Sequence, residues 1–160
     1  MRRTQIVKSE GCNPLWHMYK TVSPIKVAKN FVIIELGRIC PSVKMKRWMY
    51  RKFLKMNIGN YTSIAYKAMP DLMFPEHIVI GDNCVIGYNA TLLTHEYLIH
   101  EYRIGKIEIG NNVLIGAGAI VLPGITIGDN AVIGAMTLVS KDVPDNSFAY
   151  GNPMQIKNKV

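Results

Sequence analysis

Along the second half of the chain an aliphatic side chain recurs at every sixth position. Ile80, Ile86 and Leu92 begin the series, and Ile109, Ile115, Val121, Ile127, Ile133 and Val139 continue it after an interruption. Four residues beyond all but Leu92, the side chain is small or β-branched: Cys84, Ala90, Val113, Ala119, Ile125, Ala131, Thr137 and Val143. A frayed earlier trace runs through Ile58 and Ile64. A period of six matches neither an α-helix nor a long alternating strand. It predicts very short strands joined by tight turns, three to a coil. Equivalent aliphatics such as Ile109 and Ile127 then lie 18 residues apart. Stacked coils pair as parallel strands about 4.8 Å apart and bury one continuous aliphatic column. The glycines of "IGDN", "IGYN", "IGNN" and "IGAG" are expected to supply positive φ or close backbone approach.

The first part of the chain follows a different period. From Leu15 to Leu36 the apolar spacing is roughly helical, with Ser23-Pro24 as a break or helix start. In "PSVKMKRWMYRKFLKMNIG", Ser42 is placed to cap a second helix and Gly59 to end it. Met45, Trp48, Met49, Phe53 and Met56 share one face of that helix, and Lys44, Lys46, Arg47, Arg51, Lys52 and Lys55 cover the rest. The apolar face is expected to cap the repeat, leaving the cations in water. The same pattern also suits contact with an anionic membrane surface.

Charge sharpens this division. Residues 1–57 hold thirteen Lys and Arg against two acidic residues, a net of +11, whereas residues 58–160 hold six against nine, a net of −3. A basic helical head (1–57) therefore precedes a slightly acidic repeat body (58–160). The longest apolar run, Phe31–Ile34, is far too short to span a bilayer, and no apolar signal segment follows the basic start. Cys12, Cys40 and Cys84 form neither a disulfide framework nor a CxxC metal site, as expected of a reducing cytoplasm. Nucleic acid is not an expected partner, because no aromatic-basic strand face or recognition motif is present.

The interruption is the segment "LLTHEYLIHEYRIGK". Continuing the repeat through it would bury Glu96 and Tyr102 in a narrow core at high cost. Residues 94–106 are therefore expected to leave the coil as a loop, and a polar loop on a rigid scaffold is a place for chemistry. Its histidines, His95 and His100, are candidate proton acceptors.

The repeats and the ending "IVLPGITIGDNAVIGAMTLVSKDVPDNSFAYGNPMQIK" resemble the hexapeptide-repeat acyltransferases, above all the maltose and galactoside O-acetyltransferases and their xenobiotic-acetylating relatives. The resemblance covers residues 58–157 and implies a mainly β protein built on a left-handed parallel β-helix. It implies homotrimers, with acetyl-CoA as cosubstrate in clefts between neighbouring prisms, no metal, and transfer to a hydroxyl of a sugar or other small or cell-envelope acceptor. "LLTHEYL" before "IEIGNNVLIG" maps the family's catalytic histidine onto His95; Glu96, Glu101 or a backbone carbonyl would orient it. Backbone N–H groups near Gly116–Ala117 are candidates for the oxyanion site. Family positions along the CoA arm map to Ala117, Ala135, Ser140 and Lys141. Lys157 and Lys159 stand in for arginines that this chain lacks. On the acceptor side an expected asparagine falls near Lys67, with Asp71 as the nearest polar substitute; Tyr88, like Tyr66, is either acceptor-facing or surface filling.

Two further readings share the fold. Carbonic anhydrases of the gamma class bind zinc through three histidines between subunits, and here His77 and His95 are one repeat period apart with His100 five residues on. A non-catalytic scaffold is the other.

Overall fold

The structure, a computed structural model, describes residues 2–158. The chain opens with a strand, β1 (Gln5–Lys8), and a 3-10 turn at Pro14–Lys20, then enters helices α1 (Pro24–Ile39) and α2 (Val43–Phe53). The head is thus not wholly helical as its spacing suggests. Ser42 caps α2 as expected, its hydroxyl accepting from the Met45 N–H at 3.3 Å. The helix ends before Gly59, however: Leu54 is the C-cap and Lys55 takes a left-handed turn with φ 60°.

The face of α2 also differs from expectation. Lys46, Tyr50 and Leu54 are the buried residues, four apart, while Met45 and Trp48 stay half exposed. Lys46 can occupy the buried position because its stem lies along apolar surface and its ammonium donates to the Ala65 carbonyl at 2.9 Å. Tyr50 lies against Gly37, where any side chain would collide with the phenol ring. The two helices thereby close one end of the prism.

Four coils follow. The first is β2 (Asn57–Ile58), β3 (Ser63–Ile64) and β4 (Met69–Pro70); the second is β5 (Ile78–Ile80), β6 (Val85–Ile86) and β7 (Thr91–Leu92). After an antiparallel hairpin, β8 (His95–Tyr97) and β9 (Glu101–Ile104), come β10 (Ile107–Ile109), β11 (Leu114–Ile115) and β12 (Ile120–Val121). The last coil is β13 (Thr126–Ile127), β14 (Val132–Ile133) and β15 (Leu138–Val139), closed by β16 (Ser147–Tyr150) and β17 (Gln155–Asn158). Equivalent strands stack in parallel into three faces: β2-β5-β10-β13, β3-β6-β11-β14 and β4-β7-β12-β15. β16 extends the second face in parallel and β17 pairs with it antiparallel.

All the aliphatics of the six-residue series and all their small partners are buried inside this prism. Ile34, Tyr50 and Leu54 of the head join the same core. The repeat glycines serve close approach: a Cβ on Gly116 would lie 2.5 Å from the Ala135 nitrogen in the next coil. Positive φ falls two residues later, on Asn83, Asn89, Asn112, Gly118, Asn130 and Met136. Asparagine tolerates that conformation better than most residues. Truncating Ile127, fully buried at the centre of the column, to alanine is expected to cost about 2–5 kcal/mol, read as a shift of the denaturation midpoint.

Stacking register locates two insertions. Ile109 pairs with Ile127, 18 residues on, but Ile58 pairs with Ile80 across 22 and Ile80 with Ile109 across 29. Four extra residues therefore sit in the first coil and eleven in the second. Both leave from the corner between the third face and the first, one above the other.

Candidate active site

The eleven-residue insertion is the β8–β9 hairpin, and it carries His95 at its base. Its outer edge is covered by β1, antiparallel to β9 with Gln5 opposite Ile104 and Lys8 opposite Glu101. The hairpin is closed where the Gly105 N–H donates to the Thr94 carbonyl at 2.8 Å. The four-residue insertion carries Asp71 directly beneath.

Asp71 has no exposed side-chain surface, and five donors converge on it. Oδ1 accepts from the Met73 and Phe74 N–H groups, each at 2.8 Å. Oδ2 accepts from the Thr94 N–H at 2.8 Å, the His95 N–H at 3.2 Å and His95 Nδ1 at 2.6 Å. Burial alone would raise this carboxyl's pKa, but the hydrogen bond and charge of His95 and the backbone N–H groups of Phe74 and Thr94 outweigh it and hold the carboxyl below the ordinary range. An ionised Asp71 takes the Nδ1 proton as a hydrogen bond, which leaves Nε2 with its lone pair outward. The ring edge meets Phe74 at 5.9 Å and Tyr97 at 5.4 Å between centroids. The turn beneath is itself pinned: Asn30 of α1, fully buried, donates to the Leu72 carbonyl at 2.8 Å.

This placement corrects the reading of Asp71 as an acceptor-binding residue, since a fully buried carboxylate bonded to His95 has no surface to offer. It also supplies the partner of His95 that the sequence left open. Glu96 points elsewhere, into a two-pronged pair with Arg2 at 2.7 and 3.0 Å, and Glu101 pairs with Arg103. The contact with Arg2, together with Arg103, holds the Glu96 carboxyl below its usual pKa against partial burial.

The other candidates lie apart from this pair. Ser140 and Lys141 are exposed at the same corner as His95, two coils away. Lys67, Tyr88, Ala117 and Ala135 occupy turns at a different corner, between the second and third faces, with the strands of the third face between them and His95. There Tyr88 stacks on Tyr66 at 6.2 Å, and the Lys67 cation lies over the Tyr66 ring. Lys157 is on β17, its ammonium over Phe148 and Tyr150. Lys159 is outside the described residues. The Gly116 N–H is spent on the Ile133 carbonyl at 2.8 Å, which leaves Ala117 of that pair as the oxyanion candidate.

Nor do the three histidines converge in one protomer. His77 stacks on Phe74, which separates it from His95, and His100 is exposed at the hairpin tip. Counting 18 residues from His95 misses the four-residue insertion, so Asp71 and not His77 is its neighbour. Among the described residues no group of three His, Cys, Asp or Glu side chains is arranged to hold a metal ion.

Family comparisons agree with this geometry. The description "Bacterial transferase hexapeptide (six repeats)" matches residues 106–141, and "Hexapeptide repeat of succinyl-transferase" matches residues 77–93. The chain is 56% identical over 156 residues to "Putative acetyltransferase YvoF" of Bacillus subtilis, covering 98% of this chain and 91% of that protein. The chain belongs to the hexapeptide-repeat acetyltransferases. A second family member, "Putative acetyltransferase SAR0816" of Staphylococcus aureus, is 59% identical over 98% of both chains. A galactoside acetyltransferase solved in complex with coenzyme A superposes with a TM-score of 0.70 at 25% identity, over 98% of this chain and 87% of that one. The prism of this acetyltransferase is accordingly the left-handed β-helix of its family.

Sequence reasoning missed two parts of the site: Asp71 as the partner of His95, and the N-terminal strand as a clamp on the hairpin. Arg2 grips Glu96, the Ser9 N–H donates to the His100 carbonyl at 2.8 Å, and the Arg3 N–H donates to the Gly124 carbonyl at 3.0 Å. Removing residues 1–9 is expected to lower the transfer rate by up to about 10²-fold by loosening the hairpin. Steady-state kinetics should show kcat falling more than KM for the acyl donor rises.

Proposed function

We infer that this acetyltransferase moves the acetyl group of acetyl-CoA to a hydroxyl of a sugar or other small or cell-envelope acceptor, by direct transfer with His95 as general base. The observation that carries the reading is the 2.6 Å contact between His95 Nδ1 and buried Asp71. It fixes the tautomer in which Nε2 can accept a proton, as the chemistry requires of an imidazole acting on an alcohol.

In the proposed step the acceptor oxygen attacks the thioester carbonyl while its proton passes to His95 Nε2. Negative charge develops on the carbonyl oxygen, where the Ala117 N–H is the proposed donor. The C–S bond then breaks, and the proton held by His95 passes to the departing thiolate, giving the acetyl ester and free CoA. Ala135, Ser140, Lys141 and Lys157 are proposed contacts for the donor; Lys67 and Tyr88 are proposed contacts for the acceptor. Because these groups occupy different corners of one prism, the reading includes a homotrimer in which one copy's His95 corner faces the turn-lined corner of the next.

The test is a thiol-release assay with acetyl-CoA across sugars, amino sugars, amines and cell-wall precursors. Acceptor-dependent thiol release with an ester product supports the reading; a product acetylated only on nitrogen overturns hydroxyl transfer.

A further inference from the structure

The closed end of the prism presents a surface that acetyl transfer does not use. α2 turns Met45 (50% exposed) and Trp48 (53%) outward, together with Lys44, Arg51 and Lys52. The Lys52 ammonium lies 5.1 Å from the centre of the Trp48 ring. No acidic residue occurs between Ser42 and Met56. Beside it, α1 exposes Ile25 (82%), Val32, Leu36 and Ile39 (62%). At the start of α2, Lys44 and Arg47 border an open cleft of about 700 Å³ shared with Asn60, Tyr61 and Ser63. Apolar side chains this exposed, on a helix next to a row of cations, are more than a solvated helix needs.

We propose that this α1–α2 cap docks on an anionic lipid bilayer. The aliphatic face of α1 enters the boundary between headgroups and acyl chains, Trp48 sits at the interface, and Lys44, Arg51 and Lys52 meet phosphates. Charge decides the occupant. A second copy apposed through the same face would set cations against cations, and a nucleic acid backbone would leave the α1 aliphatics without a partner. An anionic bilayer satisfies both halves of the surface. Among the described residues no helix is long and apolar enough to cross a membrane, so this is attachment along a surface. Two features unexpected in the sequence create it: burial of Lys46 and Tyr50 rotates α2 about its axis, and that rotation brings Trp48 out.

The test uses the full chain and vesicles of either phosphatidylcholine alone or phosphatidylcholine with an equal part of phosphatidylglycerol. Co-sedimentation is expected only with the anionic vesicles and is expected to weaken steeply with salt. Lys44→Glu with Lys52→Glu should weaken it by about tenfold or more, and Ile25→Ser with Ile39→Ser should weaken it without changing the salt dependence. In a Trp16→Phe background, Trp48 emission should shift to the blue on binding. Thiol release by the soluble protein should be unchanged in all these variants, which shows that they are folded. Failure to bind anionic vesicles at low salt overturns the proposal, as does equal binding to neutral vesicles or binding that ignores the substitutions. Equally tight capture of polyglutamate would assign the face to an acidic polymer, and loss of self-association in the Ile25→Ser, Ile39→Ser variant would assign it to a second copy; either result overturns the lipid assignment.

Discussion

Replacing His95 by alanine is expected to lower kcat by about 10²–10⁴-fold, the range for removing a positioned general base, with little change in affinity for CoA. The side chain is 16% exposed and the hairpin is held by its own backbone ladder and by β1, so the fold survives its loss. What the variant loses locally is one of five donors to Asp71, a cost of about 1–3 kcal/mol in stability. Thiol-release kinetics and thermal melts separate the two effects. A His95→Ala protein that turns over at the full rate would remove the imidazole from the mechanism.

Asp71→Asn is expected to be nearly as damaging to the rate, on the order of 10²-fold or more, by a different route. The amide must place its NH2 either against the Met73 and Phe74 N–H groups or against those of Thr94 and His95. The second orientation also presents a donor to Nδ1, which favours the tautomer with its proton on Nε2, where it cannot accept another. The first leaves two backbone donors facing a donor. Either way the fold loses roughly 1–3 kcal/mol. The pH dependence identifies the cause. Asp71 is held below the usual carboxylate pKa in the folded protein, so its contribution is fully present above the unfolded-state value and is lost as pH falls through the folded one. The gap in melting temperature between the native protein and Asp71→Asn should therefore be widest near neutrality and narrow in acid. A gap of constant size from neutral to strongly acid solution would mean that the carboxylate's charge is not what stabilises the corner.

Much of the architecture was readable residue by residue. The column from Ile80 to Val139 announces its own geometry, because only an aliphatic fits the inside of so narrow a coil and only glycine tolerates the approach of the next coil at Gly116. The hairpin at 94–106 was readable for the complementary reason, since Glu96 and Tyr102 have no place inside. Arg2 with Glu96 was not readable: the two are 94 residues apart, and neither departs from what a surface residue looks like. The α2 face was misread because apolar periodicity assumes that lysine stays in water. Lys46 instead reaches a free carbonyl at the end of its stem, and burying Tyr50 against Gly37 fixes the rotation.

The six-residue spacing by itself determined that this chain would coil and stack, because that constraint repeats locally and each unit needs only its neighbour. It also singled out His95, as a polar group in the segment the core must reject. What lies under His95 was decided only in three dimensions. Two insertions of unequal length leave the same corner of adjacent coils, and the stacking register, not distance along the chain, sets Asp71 and not His77 against the imidazole. Local pattern specifies which residues are inside; the meeting of two rejected segments depends on how the coils between them add up.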